Sequence, residues 1–203
     1  MFRLVGIAMD VLPAAVILLP VIVTFQITLW KPVSWHRNIW MIIFALYLAA
    51  VFSVVGIPNI KYIRIEPQFN LIPVVDIVNG PLGYMKNTVL NILMFLPLGF
   101  LLPVIWKEFW SFKRTAVFGF ALSLAIELSQ IFTYRLTDVD DLITNTLGAI
   151  LGYYVARVIL KKTKTDTAVS GRCCELAVLL GSTLLVMFFA QPYISSWLWD
   201  MVI

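Results

Sequence analysis

Glu127 sits inside an otherwise apolar stretch, 117–132, that has the length and composition of a membrane-crossing helix. A carboxylate at membrane depth costs roughly 2.5 kcal/mol or more on insertion scales, so such a group needs partners or a task. At the spacing that keeps one helix face, Ser123, Glu127, Gln130 and Tyr134 form a polar stripe. Asp138, Asp140, Asp141 and Asn145 follow, where the apolar pattern resumes. Two carboxylates, Glu127 and Asp141, can work as a general acid and base. Glu127, Asp138, Asp140 and Asp141 also offer the oxygen ligands preferred by a divalent cation such as Ca²⁺ or Mg²⁺, although Asp-x-Asp-Asp is not a complete binding loop. Capping is the plainer account of part of the set. Thr137 and Asp138 suit the first turn of the next helix, and Asp140 and Asp141 suit the positive end of its dipole. Capping covers one or two of the aspartates, but not all of them together with Glu127. Arg135 brings a cation to the same surface.

Residue supply argues against other chemistries. His36 is the only histidine, and the distribution of charge places it on the opposite side of the membrane, away from any Ser-His-Asp arrangement with these acids. There is no Gly-rich phosphate loop. Cys173 and Cys174 are adjacent, lack metal-binding spacing, and fall in a segment expected to face the reducing cytoplasm.

The elements that must position these groups are membrane helices. A chain that is 61% hydrophobic and 13% charged, with mean hydropathy +0.94, is not a soluble domain. Six apolar runs, 11–30, 38–58, 88–106, 115–134, 142–160 and 176–199, each approach the length that spans a bilayer. The spacing predicts an all-α, polytopic bundle forming one membrane domain over 1–203. The first run is read as a retained helix rather than a signal peptide, because it is long and no small-residue cleavage site follows. Lys31, Arg37, Lys107, Lys113, Arg114, Arg157, Lys161, Lys162, Lys164 and Arg172 fall on one set of connections, which should be cytoplasmic. The net charge of +4 is then membrane anchoring against anionic lipid, not nucleic-acid binding. Arg3, Lys61, Arg64, Lys86 and Arg135 lie on the other side, with the acidic cluster and the long 59–87 connection. That connection carries Pro67, Pro73 and Pro81 and a short apolar patch, 71–78, suited to a re-entrant or interfacial element.

Short turns pair the third helix with the fourth and the fourth with the fifth as antiparallel neighbours. In the third, Pro97 removes a backbone donor and Asn91 is placed to hold Glu127 or simply to bond a neighbouring helix. In the fifth, Gly148 and Gly152 form a small-xxx-small surface that would bring Asn145 close enough to reach Glu127.

Read in order, Asn70-Leu71-Ile72-Pro73, then 91–102 (Asn-Ile-Leu-Met-Phe-Leu-Pro-Leu-Gly-Phe-Leu-Leu), Glu127 with Gln130, 138–141, and Asn145-Thr146-Leu147-Gly148 through Tyr153 resemble the VanZ-like family of bacterial membrane proteins. The resemblance covers about 69–160. Val74 departs from it, since the family often has an aromatic residue there. The resemblance implies a cytoplasmic-membrane location and a role in low-level resistance to teicoplanin, a lipoglycopeptide acting on the cell wall. It implies no reaction and no catalytic residues.

Together these readings predict an outward-opening polar pocket between the third, fourth and fifth helices. Glu127 and Gln130 form its floor, Asn91 and Asn145 its walls, and Arg135, Asp138, Asp140 and Asp141 its rim, with Asn70 and Pro73 in a loop over the entrance. Its expected occupant is amphipathic: a lipid-linked envelope component or a lipoglycopeptide, with membrane lipid around it. The rival expectations are a membrane hydrolase or transferase using Glu127 and Asp141, and a polar face that only joins helices.

Overall fold

The computed structural model of the chain describes residues 2–28, 35–65, 67–70, 72–75, 77, 80–133, 135–163 and 173–202. Trp30, Lys31, Leu71, Val78, Tyr134, Lys164 and Arg172, all used above, lie outside the described residues. The helices are α1 (Phe2–Thr28), α2 (Trp35–Val55), α3 (Pro81–Ile105), α4 (Phe112–Gln130), α5 (Val139–Thr163), α6 (Cys173–Leu185) and α7 (Gln191–Val202). A π turn, Val186–Ala190, joins α6 to α7 so that the two form one long apolar element. Among the described residues, five helical stretches are long and apolar enough to cross a membrane: Met9–Thr28, Trp35–Val55, Pro81–Ile105, Val139–Lys161 and Cys174–Met201. Their outward residues, among them Val16, Leu82, Leu93 and Val158, are as apolar as those inside. Such a surface requires lipid, and the protein is an all-α, multi-pass membrane protein.

The remaining expected run, 115–134, is α4, and it differs from the others. It ends at Gln130 instead of 134, because Phe132 and Thr133 donate to the carbonyls of Ser129 and Gln130 in tight turns that close the helix. Its apolar part, 115–130, therefore covers only about 24 Å at 1.5 Å per residue. α3 in turn starts earlier than expected, at Pro81, whose fixed φ suits the first helical position.

The described chain forms two compact units, 1–63 with 172–203, and 64–171. In the first, Ala14, Leu18 and Ile22 line one face of α1 at four-residue spacing. They pack against Met41, Phe44, Ala45, Leu48 and Phe52 of α2. α2 ends at Gly56, whose φ of 65° lets Ile57 reach back to the carbonyl of Phe52. A buried Arg37–Glu175 ion pair ties the start of α2 to the start of α6.

In the second unit α5 is the central post. It packs most extensively on α3, next on α4, while α3 and α4 touch only lightly. The expected pairing of α3 with α4 thus gives way to α3 with α5, and glycine is the reason. A Cβ on Gly148 would overlap the backbone of Ile92, one on Gly152 the backbone of Leu96, and one on Gly99 the backbone of Ala149. With no side chains between them, the two backbones touch directly. One end of this unit is aromatic and basic. There the Trp110 indole donates to the Pro103 carbonyl (2.8 Å), the Tyr153 hydroxyl donates to the Trp110 carbonyl (2.9 Å), and the Arg157 guanidinium lies over the Trp110 ring. The other end carries the acids.

Candidate functional site

Each acid is positioned by an element boundary. The stripe on α4 exists as read: Ser123, Glu127 and Gln130 are all buried on one face, while Tyr134 is not described. Glu127 is 3% exposed, and its Oε2 accepts the backbone N–H of Asp138 at 2.9 Å. Gln130, with its amide turned so that nitrogen faces two acceptors, donates to the same Oε2 (3.2 Å) and to the Leu136 carbonyl (3.1 Å). The Thr137 hydroxyl donates to the Glu127 carbonyl (3.1 Å), which the end of α4 leaves without a helical partner.

Asp138 caps α5. Its Oδ1 accepts the N–H of Asp140 at 2.9 Å, and Asp140 and Asp141 fall in the first helical turn. Asp138 therefore works twice: its side chain closes the start of α5, and its own N–H holds Glu127. Asp141 Oδ1 accepts the amide of Asn91 at 2.6 Å. Asn91 thus bonds a neighbouring helix through Asp141, the plainer of its two expected uses, and does not hold Glu127, because α5 lies against α3. Asn145 likewise does not reach Glu127. Its amide donates to the Ser123 hydroxyl at 3.0 Å, one turn deeper on α4. Asn145 is 2% exposed, and its Oδ1 has no hydrogen-bond partner among the described residues.

The segment before α3 is zipped along the turn between α4 and α5. Arg64 N–H donates to the Phe132 carbonyl (3.1 Å), and Thr137 N–H donates to the Gln68 carbonyl (2.9 Å). Phe69–Asn70 pairs in parallel with Thr137–Asp138, a two-residue pairing that the all-helical reading did not contain. The Asn70 amide donates to Asp138 Oδ2 (3.4 Å). Pro73 lies exposed in the turn at 72–75, and the next residue makes the contact: Val74 N–H donates to Asp140 Oδ2 at 2.8 Å. Val74 adopts φ 64°, a left-handed conformation uncommon for a β-branched side chain. Arg135 is exposed, yet close enough for its charge to act on Glu127 and Asp141.

The residues singled out by sequence therefore converge, but through pairings that spacing did not reveal. Backbone N–H groups of Val74, Asp138 and Asp140 link Glu127, Asp138 and Asp140 into one chain of hydrogen bonds, while Asp141 is held separately by Asn91. Among the described residues no group of three His, Cys, Asp or Glu side chains is arranged to hold a metal ion. What the arrangement offers is a dense, oriented set of oxygen acceptors at the end of a short helix. Sequence reasoning missed a second carboxylate site altogether. Asp10 accepts hydrogen bonds from Ser53, Gln191 and Ser195 within the first unit. Its signal was an acid at the edge of the first apolar run, with Gln191 and Ser195 one helical turn apart in the last.

Comparison with known proteins bears on α2 and on the second unit. The family described as VanZ/LLP1 matches residues 39–160. Protein VanZ of Enterococcus faecium is 41% identical over 71 residues, 34% of this chain and 44% of that protein. The chain thus matches less than half the length of that relative. No solved structure matches.

Proposed function

The chain belongs to the VanZ/LLP1 family, and on that premise we propose that it acts in the bacterial cell envelope, where it lowers susceptibility to teicoplanin or maintains the envelope itself. In this reading the acidic end of α4 and α5 faces outward across the cytoplasmic membrane. There it engages the polar head of an amphipathic ligand, a lipid-linked envelope component or the lipoglycopeptide, whose apolar part rests against the lipid-exposed helices. The observation that carries it is the hydrogen-bonded run of Glu127, Asp138 and Asp140 with Asp141, held by Asn91, in the next position of the same helical turn, and with Asn70 and Arg135 beside them. A carboxylate as buried as Glu127 inside an apolar helix is costly, and cost of that kind marks functional sites.

A second reading, a hydrolase or transferase acting on a lipid-linked substrate, draws support from Asp141 lying close enough for its charge to act on Glu127. Substitution separates the readings. In a teicoplanin susceptibility assay with membrane abundance measured alongside, Glu127→Ala and Asp141→Asn abolish protection at normal protein levels. If Glu127→Gln keeps protection, binding is right and proton transfer is wrong, because an amide cannot exchange that proton. If every variant loses activity only in proportion to lost protein, the acids merely join helices and both readings fail.

A further inference from the structure

The first unit contains a cavity of about 230 Å³ outside the acidic cluster. Its chemistry begins with Asp10 of α1. Oδ1 accepts the Gln191 amide (2.7 Å) and the Ser195 hydroxyl (2.9 Å), while Oδ2 accepts the Ser53 hydroxyl (2.9 Å). All three donors are neutral, and no cation pairs with Asp10 among the described residues. Among the described residues the carboxylate is therefore oriented without a paired cation, and an acceptor site on Oδ2 is left over. Phe52, Tyr62 and Trp199 supply aromatic surface to the same cavity.

The surrounding backbone is built to present these groups. Pro192 has no N–H to offer the Phe188 carbonyl four residues back, and Ile60 N–H takes that carbonyl instead at 3.1 Å. The π turn at Val186–Ala190 absorbs the misfit, and the helix resumes with Gln191 and Ser195 aimed at Asp10. On the other side, Asn59 Oδ1 accepts the N–H groups of Lys61 and Tyr62 (3.1 and 3.2 Å), fixing the turn that carries Tyr62. Lys61 then shows what such surroundings accept. Its ammonium donates to the Pro192 carbonyl (3.2 Å) and the Ser196 hydroxyl (2.7 Å), and lies 4.4 Å from the centre of the Tyr193 ring.

We propose that this cavity binds an organic ammonium group, with Asp10 as counter-ion and Tyr62 and Trp199 as flanking π faces. A negative charge solvated by neutral donors beside aromatic rings is the complement of a compact, weakly hydrated cation. The group can arrive on a phospholipid head or as a free amine. This site is separate from the acidic cluster and lies in α1, α2 and α7, so its fate is independent of the function proposed above.

The test uses the purified full-length protein in a maltoside detergent. Tetramethylammonium chloride is titrated against sodium chloride at equal ionic strength, with thermal stability as the readout. In parallel, the protein is placed in nanodiscs of phosphatidylglycerol with or without phosphatidylethanolamine. The expected result is saturable stabilisation by the organic cation and not by sodium, weakened about tenfold or more by Asp10→Asn and severalfold by Trp199→Leu. Stabilisation confined to the ethanolamine-lipid discs, and lost in the same variants, supports the site with lipid as its source. An equal response to sodium, equal responses of wild type and Asp10→Asn, or no response in either arm overturns the proposal. If Asp10→Asn does not fold, Trp199→Leu with Tyr62→Leu decides it alone, since neither residue bonds the carboxylate.

Discussion

Single residues carry the acidic cluster, and their backbone groups matter as much as their side chains. Val74 holds Asp140 through its N–H while sitting at φ 64°. Replacing it by Pro removes the donor and demands a negative φ, so Val74→Pro should unfasten the segment from α5. Val74→Asn, which tolerates the left-handed region, should keep the contact and match or exceed wild-type stability. Limited proteolysis across 64–80 distinguishes them: cleavage rises in the Pro variant and not in the Asn variant. Asn91 offers a second case. Asn91→Leu leaves Asp141 Oδ1 without its donor, at a cost of about 1–3 kcal/mol for a partly buried charged acceptor. Thermal unfolding of the purified variant reads that cost. At this scale the sequence was informative about which residues matter. An acid, an amide and a hydroxyl three or four apart in an apolar run have few uses besides facing other polar groups. It could not disclose that Val74 contributes through its N–H, because a main-chain donor looks alike at every position.

Elements decide which polar groups meet. Turn lengths suggested that α3 neighbours α4, whereas Asn91 meets Asp141 on α5; Asn145 does meet α4, but at Ser123, one turn from Glu127. The information that corrects this was present in the glycines. Gly99 in α3 and Gly148 and Gly152 in α5 allow two backbones to touch, and that contact outweighs the short 107–111 connection in setting neighbours. Small residues on two helices announce close approach but do not say to whom, so spacing alone left the pairing undetermined. The consequence is measurable. Gly148→Ala places a Cβ against the backbone of Ile92 and should cost about 1–3 kcal/mol or more. Gly83→Ala, in α3 with open space around it, should be neutral or stabilising by up to about 1 kcal/mol. Unfolding of both variants in the same detergent makes the comparison internal. If Gly148→Ala were as stable as Gly83→Ala, the tight α3–α5 contact would be wrong.

The whole molecule is a set of apolar helices with polar ends, and its orientation is the remaining expectation to be tested. A reporter fused within 135–138 should report an external location, and one within 107–111 a cytoplasmic location, by the bias of Lys and Arg. The reverse result would sink the outward-facing reading of the acidic end, leaving the ammonium site of the first unit to stand on its own test. The membrane class was readable from composition because lipid imposes its demand on every outward side chain at once. The short reach of α4 was not, since a helix stop made by two tight turns has no strong residue signature.

The direct backbone contact between α3 and α5 also limits how the molecule can move. Interfaces that slide or rock do so by trading side-chain rotamers, and a seam of glycine against carbonyl has none to trade. Separating α3 from α5 would break this close contact along its length, whereas α4 is only lightly attached to α3, so opening around Glu127 falls more readily to α4 and to the hydrogen bonds made by Arg64, Gln68, Asn70 and Val74. A mechanism in which this core rocks open like a transporter would have to break that seam, so gating at the rim is the motion the architecture permits.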